Sequence, residues 1–272
     1  MNGSKMMLAA VVSALALAAV GGRTNVVVRV GDRVITPKEV QAALAELSRK
    51  RTGGLVREAG SAKGWFVVVN AQKTVPQAEI DKVLATIDRQ VLVQVKSVPS
   101  ADVTQTNVGE AIRKAGGEVG VALVESGDAP VLVCAPEDGW AIVNVAKLRP
   151  EKKDDAVFHA RVRRELLRGF AFVSGGAYPG LGDFVMRPVS RPADLDQLPG
   201  EEFSNQMLMF LSVNTKAAGL APWHESTYLR ACQEGWAPQP TNDYQKAIWD
   251  KVHEIPSKPL KIEYNEKRDK GK

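Results

Sequence analysis

The stretch Arg164-Glu165-Leu166-Leu167-Arg168-Gly169-Phe170-Ala171-Phe172-Val173-Ser174 closes a long helical run that begins near Asp155. Phe158, Val162, Leu166 and Phe170 recur at four-residue intervals. That spacing lays an apolar stripe along one side of a helix and marks that side for burial. Arg161 and Glu165 stand four apart and Arg168 three beyond Glu165, so the charged side chains can pair along the opposite face. Exposed pairs of this kind contribute roughly 0.2–0.5 kcal/mol each and require no catalytic role. A core helix with an ion-paired outer face is therefore one complete reading of the segment.

Before this helix the pattern alternates. Residues 65–70, 91–98 and 119–124 read as apolar strands, and 76–90 and 108–114 as helices, with Ile80, Val83, Leu84 and Ile87 on one face of the first. Two more strands, 129–134 and 140–148, are joined by Pro136-Glu137-Asp138-Gly139, a turn short enough for a hairpin. Strands alternating with helices predict an α/β domain with a largely parallel sheet, and the hairpin adds an antiparallel edge strand. After the long helix, residues 174–199 are rich in Gly and Pro, the composition of a long loop. Helices follow at 202–213 and 242–252, the second with Asn242 as cap and Gln245 three residues on.

The N-terminus reads as a signal peptide over residues 1–22. Lys5 precedes an apolar run from Met6 to Val20, and Gly21-Gly22 lead into Arg23. The run is shorter than the roughly 20 residues of a spanning helix, and no later segment is long and apolar enough to enter a membrane. Residues 23–63 are expected to form a strand, a helix opened by a Thr36/Glu39 capping box with Pro37 in its first turn, and a linker over 51–63. Export places Cys134 and Cys232 where a disulfide could persist.

The helix and the residues after it resemble the metzincin zinc proteases, archaemetzincins most of all. In that family a helix following an edge hairpin carries two histidines one turn apart, a glutamate beside the first, a glycine, and then a third histidine. Aligned on that pattern, the glutamate is kept as Glu165. The ligand positions are Arg164, Arg168 and Ser174, the glycine position is Ala171, and Met186 falls in a segment like the family's methionine turn. The resemblance covers about residues 65–217. It implies a mixed sheet with an antiparallel edge strand, a long helix after the edge hairpin, and a helical C-terminal part over 218–272, with the peptidase-like domain at 64–217. Guanidinium offers a metal no lone pair and stays protonated, whereas zinc takes imidazole, thiolate or carboxylate. The only histidines are His159, His224 and His253, and no two stand i, i+4. The expectation is thus no metal, no cofactor and no zinc-dependent peptidase.

The expected function is an exported, non-catalytic pseudopeptidase that binds a peptide or an acidic ligand. Arg164, Glu165, Arg168 and Ser174 would be its ligand-binding residues and Met186 a structural one. The 140–148 strand or its neighbour would accept an extended peptide. Glu165 is the one retained candidate for catalysis, and the alternative is a zinc-independent hydrolase using it as base. A third reading, a periplasmic chaperone-like module, follows from Val30-Gly31-Asp32-Arg33-Val34-Ile35-Thr36, which is similar to the opening of periplasmic peptidyl-prolyl isomerases. Other chemistry finds less support. Ser174-Gly175-Gly176 lacks identifiable His and Asp partners, Cys134 with His159 would need a thiol at the end of an apolar strand, and Asp194 and Asp196 lie outside any aspartic-protease turn. The net charge of +5 with 25% charged residues forms no basic stripe interleaved with aromatics. That speaks against a nucleic-acid partner, and the partner expected is a peptide or protein. Trp223, Trp236, Tyr244 and Trp249 are read as anchors of the last helix. Nothing in the sequence sets an oligomeric state.

Overall fold

Residues 66–71, Phe-Val-Val-Val-Asn-Ala, are buried at every position, as a strand covered on both faces must be. In the computed structural model, the described residues are 28–30, 33–71, 73–100, 103–104, 106–127, 129–176 and 185–253. The segment read as a signal peptide and residues 177–184 of the Gly- and Pro-rich 174–199 stretch lie outside them. The chain divides into two units, one formed by the described residues up to Val56 and from Glu225, the other by residues 57–224.

In chain order the elements are β1 (Val28–Val30), β2 (Arg33–Ile35), α1 (Pro37–Thr52), β3 (Leu55–Arg57), β4 (Phe66–Ala71), α2 (Gln77–Val91), β5 (Val95–Ser100) and α3 (Val108–Lys114). They continue with β6 (Val119–Val124), β7 (Leu132–Ala135), β8 (Trp140–Asn144), α4 (Asp155–Val173), α5 (Asn205–Ala217), β9 (Glu225–Thr227), α6 (Tyr228–Glu234) and α7 (Asp243–His253).

The larger unit is built on a sheet in the order β5-β4-β6-β8-β7. β4 pairs in parallel with β5 and β6, and β6 with β8, while β7 runs antiparallel to β8 at the edge. The mixed sheet with an antiparallel edge strand is the expected one. One core cluster joins the sheet to α2, α4 and α5 through Phe66, Ile80, Val121, Leu166, Phe170 and Leu211. A smaller one lies under α3, with Val67, Val69, Ile112 and Ile142.

Three expectations are corrected here. Residues 51–63 are not a plain linker, because α1 continues through Thr52 and Leu55–Arg57 forms β3, which pairs with β9. The boundaries at 63 and 217 also move. Residues 218–224 belong to the α/β unit, where Ala221 bridges Lys63 and the Trp223 N–H donates to the Leu92 carbonyl at 2.7 Å. The third concerns 140–148, which is neither one strand nor an edge. β8 ends at Asn144, Val145–Leu148 is a 3-10 turn, and β8 is paired on both sides. The edge is its neighbour β7.

In the smaller unit the capping box of α1 is formed. Glu39 N–H donates to Thr36 Oγ1 at 3.3 Å, and Thr36 N–H to Glu39 Oε2 at 2.8 Å. Gly53 ends α1 at φ 75°, and a Cβ there would lie 2.7 Å from Tyr228 Cβ, so only glycine suits both the turn and the contact. Tyr244 donates to Glu46 Oε1 at 2.6 Å, which ties α7 to α1. Trp249 stacks on His253. Of the C-terminal aromatics read as anchors, Tyr244 ties the last helix to another element, whereas the Trp249 stack lies within the helix itself.

Candidate functional site

Helix α4 carries the site, and three local features place it. Asp154 caps its start by accepting from the N–H groups of Ala156 and Val157, both at 3.0 Å. Phe170 packs edge-on against Phe66, with ring centroids 4.9 Å apart. Gly169 lets the helix settle on the sheet, since a Cβ there would sit 3.1 Å from a Val121 methyl group. With Phe158, Val162, Leu166 and Phe170 all buried, the apolar stripe is where the spacing puts it. The charged face is buried too, and this changes its meaning.

Arg168 Nε stands 3.1 Å from Glu165 Oε2, with side chains only 3% and 4% exposed. The contact is a buried ion pair on one turn of the helix. Burial pushes the Glu165 carboxyl above its ordinary range, while the Arg168 guanidinium pulls it back. Arg168 also donates through Nη1 to the carbonyls of Val185 at 3.0 Å and Arg187 at 2.7 Å. It thereby holds the turn that contains the fully buried Met186.

Three more arginines of α4 grip the segment that follows. Arg161 forms a two-point pair with Asp196, Nε to Oδ1 at 2.9 Å and Nη2 to Oδ2 at 2.6 Å, and also donates to the Leu148 carbonyl. The expected Arg161–Glu165 pair is not made, because Asp196 offers the planar fork that guanidinium prefers. Arg163 takes Glu201 through Nε at 2.7 Å and Nη2 at 2.8 Å, and pairs with Glu79 through Nη1. Arg164 Nη1 donates to the Leu195 carbonyl at 2.7 Å. Residues 185–201 are thus strapped to α4 by guanidinium groups.

Between that segment and the sheet edge lies a cleft of about 310 Å³. Val131 and Leu132 form one wall, Val189–Pro192 the other, and Glu165 and Arg168 the base. Asn144 shapes the approach to the first wall. Its Nδ2 donates to the carbonyls of Ser126 and Ala129, both at 2.8 Å, and its backbone N–H donates to the Val131 carbonyl at 2.8 Å. Bonded and non-bonded pairs alternate along an antiparallel ladder. With Val131 bonded inwards, Leu132 and Cys134 turn their backbone N–H and C=O groups outwards.

No family model matches the chain, and no curated protein sequence matches it. Among solved structures it is similar to archaemetzincin from Methanopyrus kandleri, at 16% identity and a TM-score of 0.46, over 59% of this chain and 99% of that one. It is also similar to a zinc-dependent peptidase from Methanocorpusculum labreanum, at 12% identity and 0.44, over 53% and 99%. A third similarity is to archaemetzincin from Archaeoglobus fulgidus, at 14% identity and 0.39, over 53% and 98%. The likeness is one of chain outline. What the site does follows from its own side chains.

Those side chains do not fit a catalytic zinc. Arg168 is a buried cation already committed to Glu165 and two carbonyls, and Arg164 is a donor to a carbonyl. A dication beside them would meet repulsion, and neither guanidinium could offer it a lone pair. Among the described residues no three His, Cys, Asp or Glu side chains gather as a metal site. His224 faces Glu58 at 2.9 Å, and His253 bonds the Trp249 carbonyl at 2.8 Å.

Of the expected site residues, the structure brings Glu165 and Arg168 together at the cleft. Arg164 is turned towards Leu195, and Ser174 caps the far end of α4. The Ser174 hydroxyl is fully buried and has no partner among the described residues. Neither Arg164 nor Ser174 lines the cleft. The disulfide is not formed, since Cys134 and Cys232 are both free thiols. Cys134 lies on β7 and Cys232 on α6, in different units. Burial, reinforced by the Glu165 charge, pushes the Cys134 thiol up to about 11, which leaves it protonated and a poor nucleophile. Sequence reasoning missed Asp196, Glu201 and the Val189–Pro192 wall. The partners of Asp196 and Glu201 lie 35 and 38 residues away, and no local spacing marks them.

Proposed function

We propose that this chain is an exported, non-catalytic protein in which a peptidase-like α/β fold is kept for binding, and that its cleft takes an extended peptide laid against β7. One observation carries the reading: a buried Glu165–Arg168 ion pair lies at the base of a cleft whose wall is a sheet edge. An edge strand with outward N–H and C=O groups is a template for another strand, and the peptide's alternate side chains would point into the cleft. The guanidinium at the base supports a non-catalytic role, because it occupies the place of an electron-pair donor. Export rests on the residue 1–22 segment. The acidic-ligand half of the expectation loses its basis, since Glu165 already balances Arg168.

One observation favours a second reading, a zinc-independent hydrolase. The upward shift of Glu165 is what a general base working near neutrality needs. Its near-complete burial against Arg168 weighs against access to substrate.

The test combines three measurements on the purified mature protein: metal content by mass spectrometry, a broad peptidase assay, and calorimetric titration with extended peptides. The expected result is no stoichiometric zinc, no turnover, and saturable binding that Leu132→Pro abolishes. Proline at an outward-facing edge position removes a donor for the ligand without touching the β7–β8 ladder. Cleavage that disappears in Glu165→Gln would instead establish the hydrolase, and stoichiometric zinc would overturn both readings. Suppression of client aggregation without peptide binding would favour the chaperone-like module.

A further inference from the structure

We infer that β7 is also an interface between two copies of this chain, in which it pairs antiparallel with the β7 of a second copy about Val133. The same edge serves the peptide reading above, and the pairing of copies stands without it.

The two edges of the sheet are guarded differently. β5, at one end, carries Lys96 and Pro99. A lysine and a proline on an edge strand discourage pairing with another chain. β7, at the other end, reads Leu-Val-Cys-Ala, with neither a charge nor a proline, and is half-buried at each position. An uncharged edge with outward backbone groups is a template for a further strand.

Register then singles out the partner. Leu132 faces Val143, Val133 faces Ile142 and Cys134 faces Ala141 across the β7–β8 ladder. With Val131 bonded to Asn144, alternation makes Val133 and Ala135 inward-bonded as well and leaves Leu132 and Cys134 to the outside. The outward groups are therefore symmetric about Val133. When β7 meets a copy of itself about that point, Leu132 faces Cys134 of the second copy, and Cys134 faces its Leu132. Each of these pairs exchanges two N–H···O=C bonds, so every outward group of the strand is satisfied. Pro130 and Pro136 stand three residues to either side of Val133. They end the pairing without stranding a donor, because proline has no N–H. Leu132 and Cys134 both pack on the α4 face, so each covers the other across the strands. A twofold axis relates the copies, the commonest symmetry of a dimer.

Charge agrees with this register. Ala135 of one copy lies beside Val131 of the other, which brings the exposed turn residues Glu137 and Asp138 towards the cleft wall of the other copy. That wall carries Arg191, whose side chain is 77% exposed. The acidic turn and the guanidinium thus approach each other twice across the axis. Exposed complementary charges fix register and specificity more than affinity. A single short strand pair is a small interface of the transient kind, for which a dissociation constant on the order of 10–100 μM is expected.

Sedimentation velocity on the mature protein, from about 5 to about 500 μM, should show monomer converting to dimer. Leu132→Pro removes one outward donor from each copy and should weaken the dimer at least about 10-fold. The register is read by Val133→Cys in a Cys134→Ala/Cys232→Ala background. Opposed residues of a non-bonded antiparallel pair stand about 4.5 Å apart at Cα, within the range a disulfide spans. Mild oxidation should therefore give a covalent dimer joined 133 to 133, at least about 10-fold faster than Ser97→Cys on β5 in the same background. A protein that stays monomeric at about 500 μM overturns the inference, as does a dimer that ignores Leu132→Pro and forms no 133–133 bond. Dimerisation with no peptide binding sinks the peptide reading and leaves this one standing, whereas peptide binding to a strict monomer does the reverse. Sedimentation is read on the unaltered protein, so a variant that failed to fold would not remove the test.

Discussion

Arg168 and Glu165 meet 3.1 Å apart on one turn of α4, shut away from water, and the same guanidinium holds the carbonyls on either side of Met186. A single side chain therefore neutralises a buried acid and fastens the turn that follows the helix.

Removing half of that pair should be costly. Arg168→Ala strands the Glu165 carboxylate and releases both carbonyls, for an expected loss of about 3–5 kcal/mol, read from urea unfolding. The double change Glu165→Leu/Arg168→Met, which replaces the pair by apolar volume, should unfold within about 1 kcal/mol of the wild type or above it. A single variant as stable as the wild type would show that the pair is not buried as described.

The pH dependence has a definite sign. Burial raises the folded-state pKa of Glu165 above its unfolded value, against the pull of Arg168, so the folded chain holds this proton more tightly. The Glu165 contribution is most favourable below the unfolded value of about 4.3 and is lost as pH rises towards the folded pKa. The stability of the wild type relative to Glu165→Gln should therefore decline as pH increases above about 4. Glu79, whose pKa is lowered chiefly by Lys82, works in the opposite direction, which is why the comparison must be with the variant. A difference that stayed flat with pH would contradict the assignment.

Thiol chemistry gives an independent check. Unfolded protein should titrate two thiols without reductant, since both cysteines are free. In the folded protein Cys134, with its thiol pushed up to about 11, should alkylate at pH 8 at least about 100-fold more slowly than an unperturbed cysteine, because the thiolate is the reactive form. Fast labelling of Cys134, located by peptide mapping, would place it in a different environment.

The wall of the cleft should loosen when its strap is cut. Asp196→Ala leaves the buried Arg161 guanidinium with only the Leu148 carbonyl. The Asp196 side chain is 38% exposed, so solvent screening brings the expected cost down to about 1–2 kcal/mol. Hydrogen exchange should quicken at residues 189–198 while β4 and β6 stay protected. Uniform loss of protection across the sheet would mean that the strap supports the whole fold rather than the wall.

Much of the architecture was legible because it depends on short-range periodicity. The 119–124 strand and the 108–114 helix fall where the apolar pattern puts them. Capping chemistry placed the starts of α1 and α7, where Gln245 N–H donates to Asn242 Oδ1 at 3.0 Å. Where the pattern misled, pairing partners were at fault. Leu55–Arg57 looks polar enough for a linker and becomes a strand only because β9, which lies 170 residues on, completes it. Residues 145–148 continue an apolar run yet leave the sheet as a 3-10 turn, burying Val145 and Leu148 against the helix layer.

By itself the sequence determined that arginines stand at 161, 163, 164 and 168 of the helix, that the helix would be buried along 158, 162, 166 and 170, and that an antiparallel edge would precede it. These follow from residue identity and spacing alone. Only the tertiary structure decided what the arginines do. A guanidinium reaches several ångströms and accepts any well-placed carboxylate or carbonyl. Whether Arg161 meets Glu165 or Asp196, and whether Arg168 faces solvent or closes a cleft, is set by how residues 185–201 return over α4, and no local pattern encodes that path.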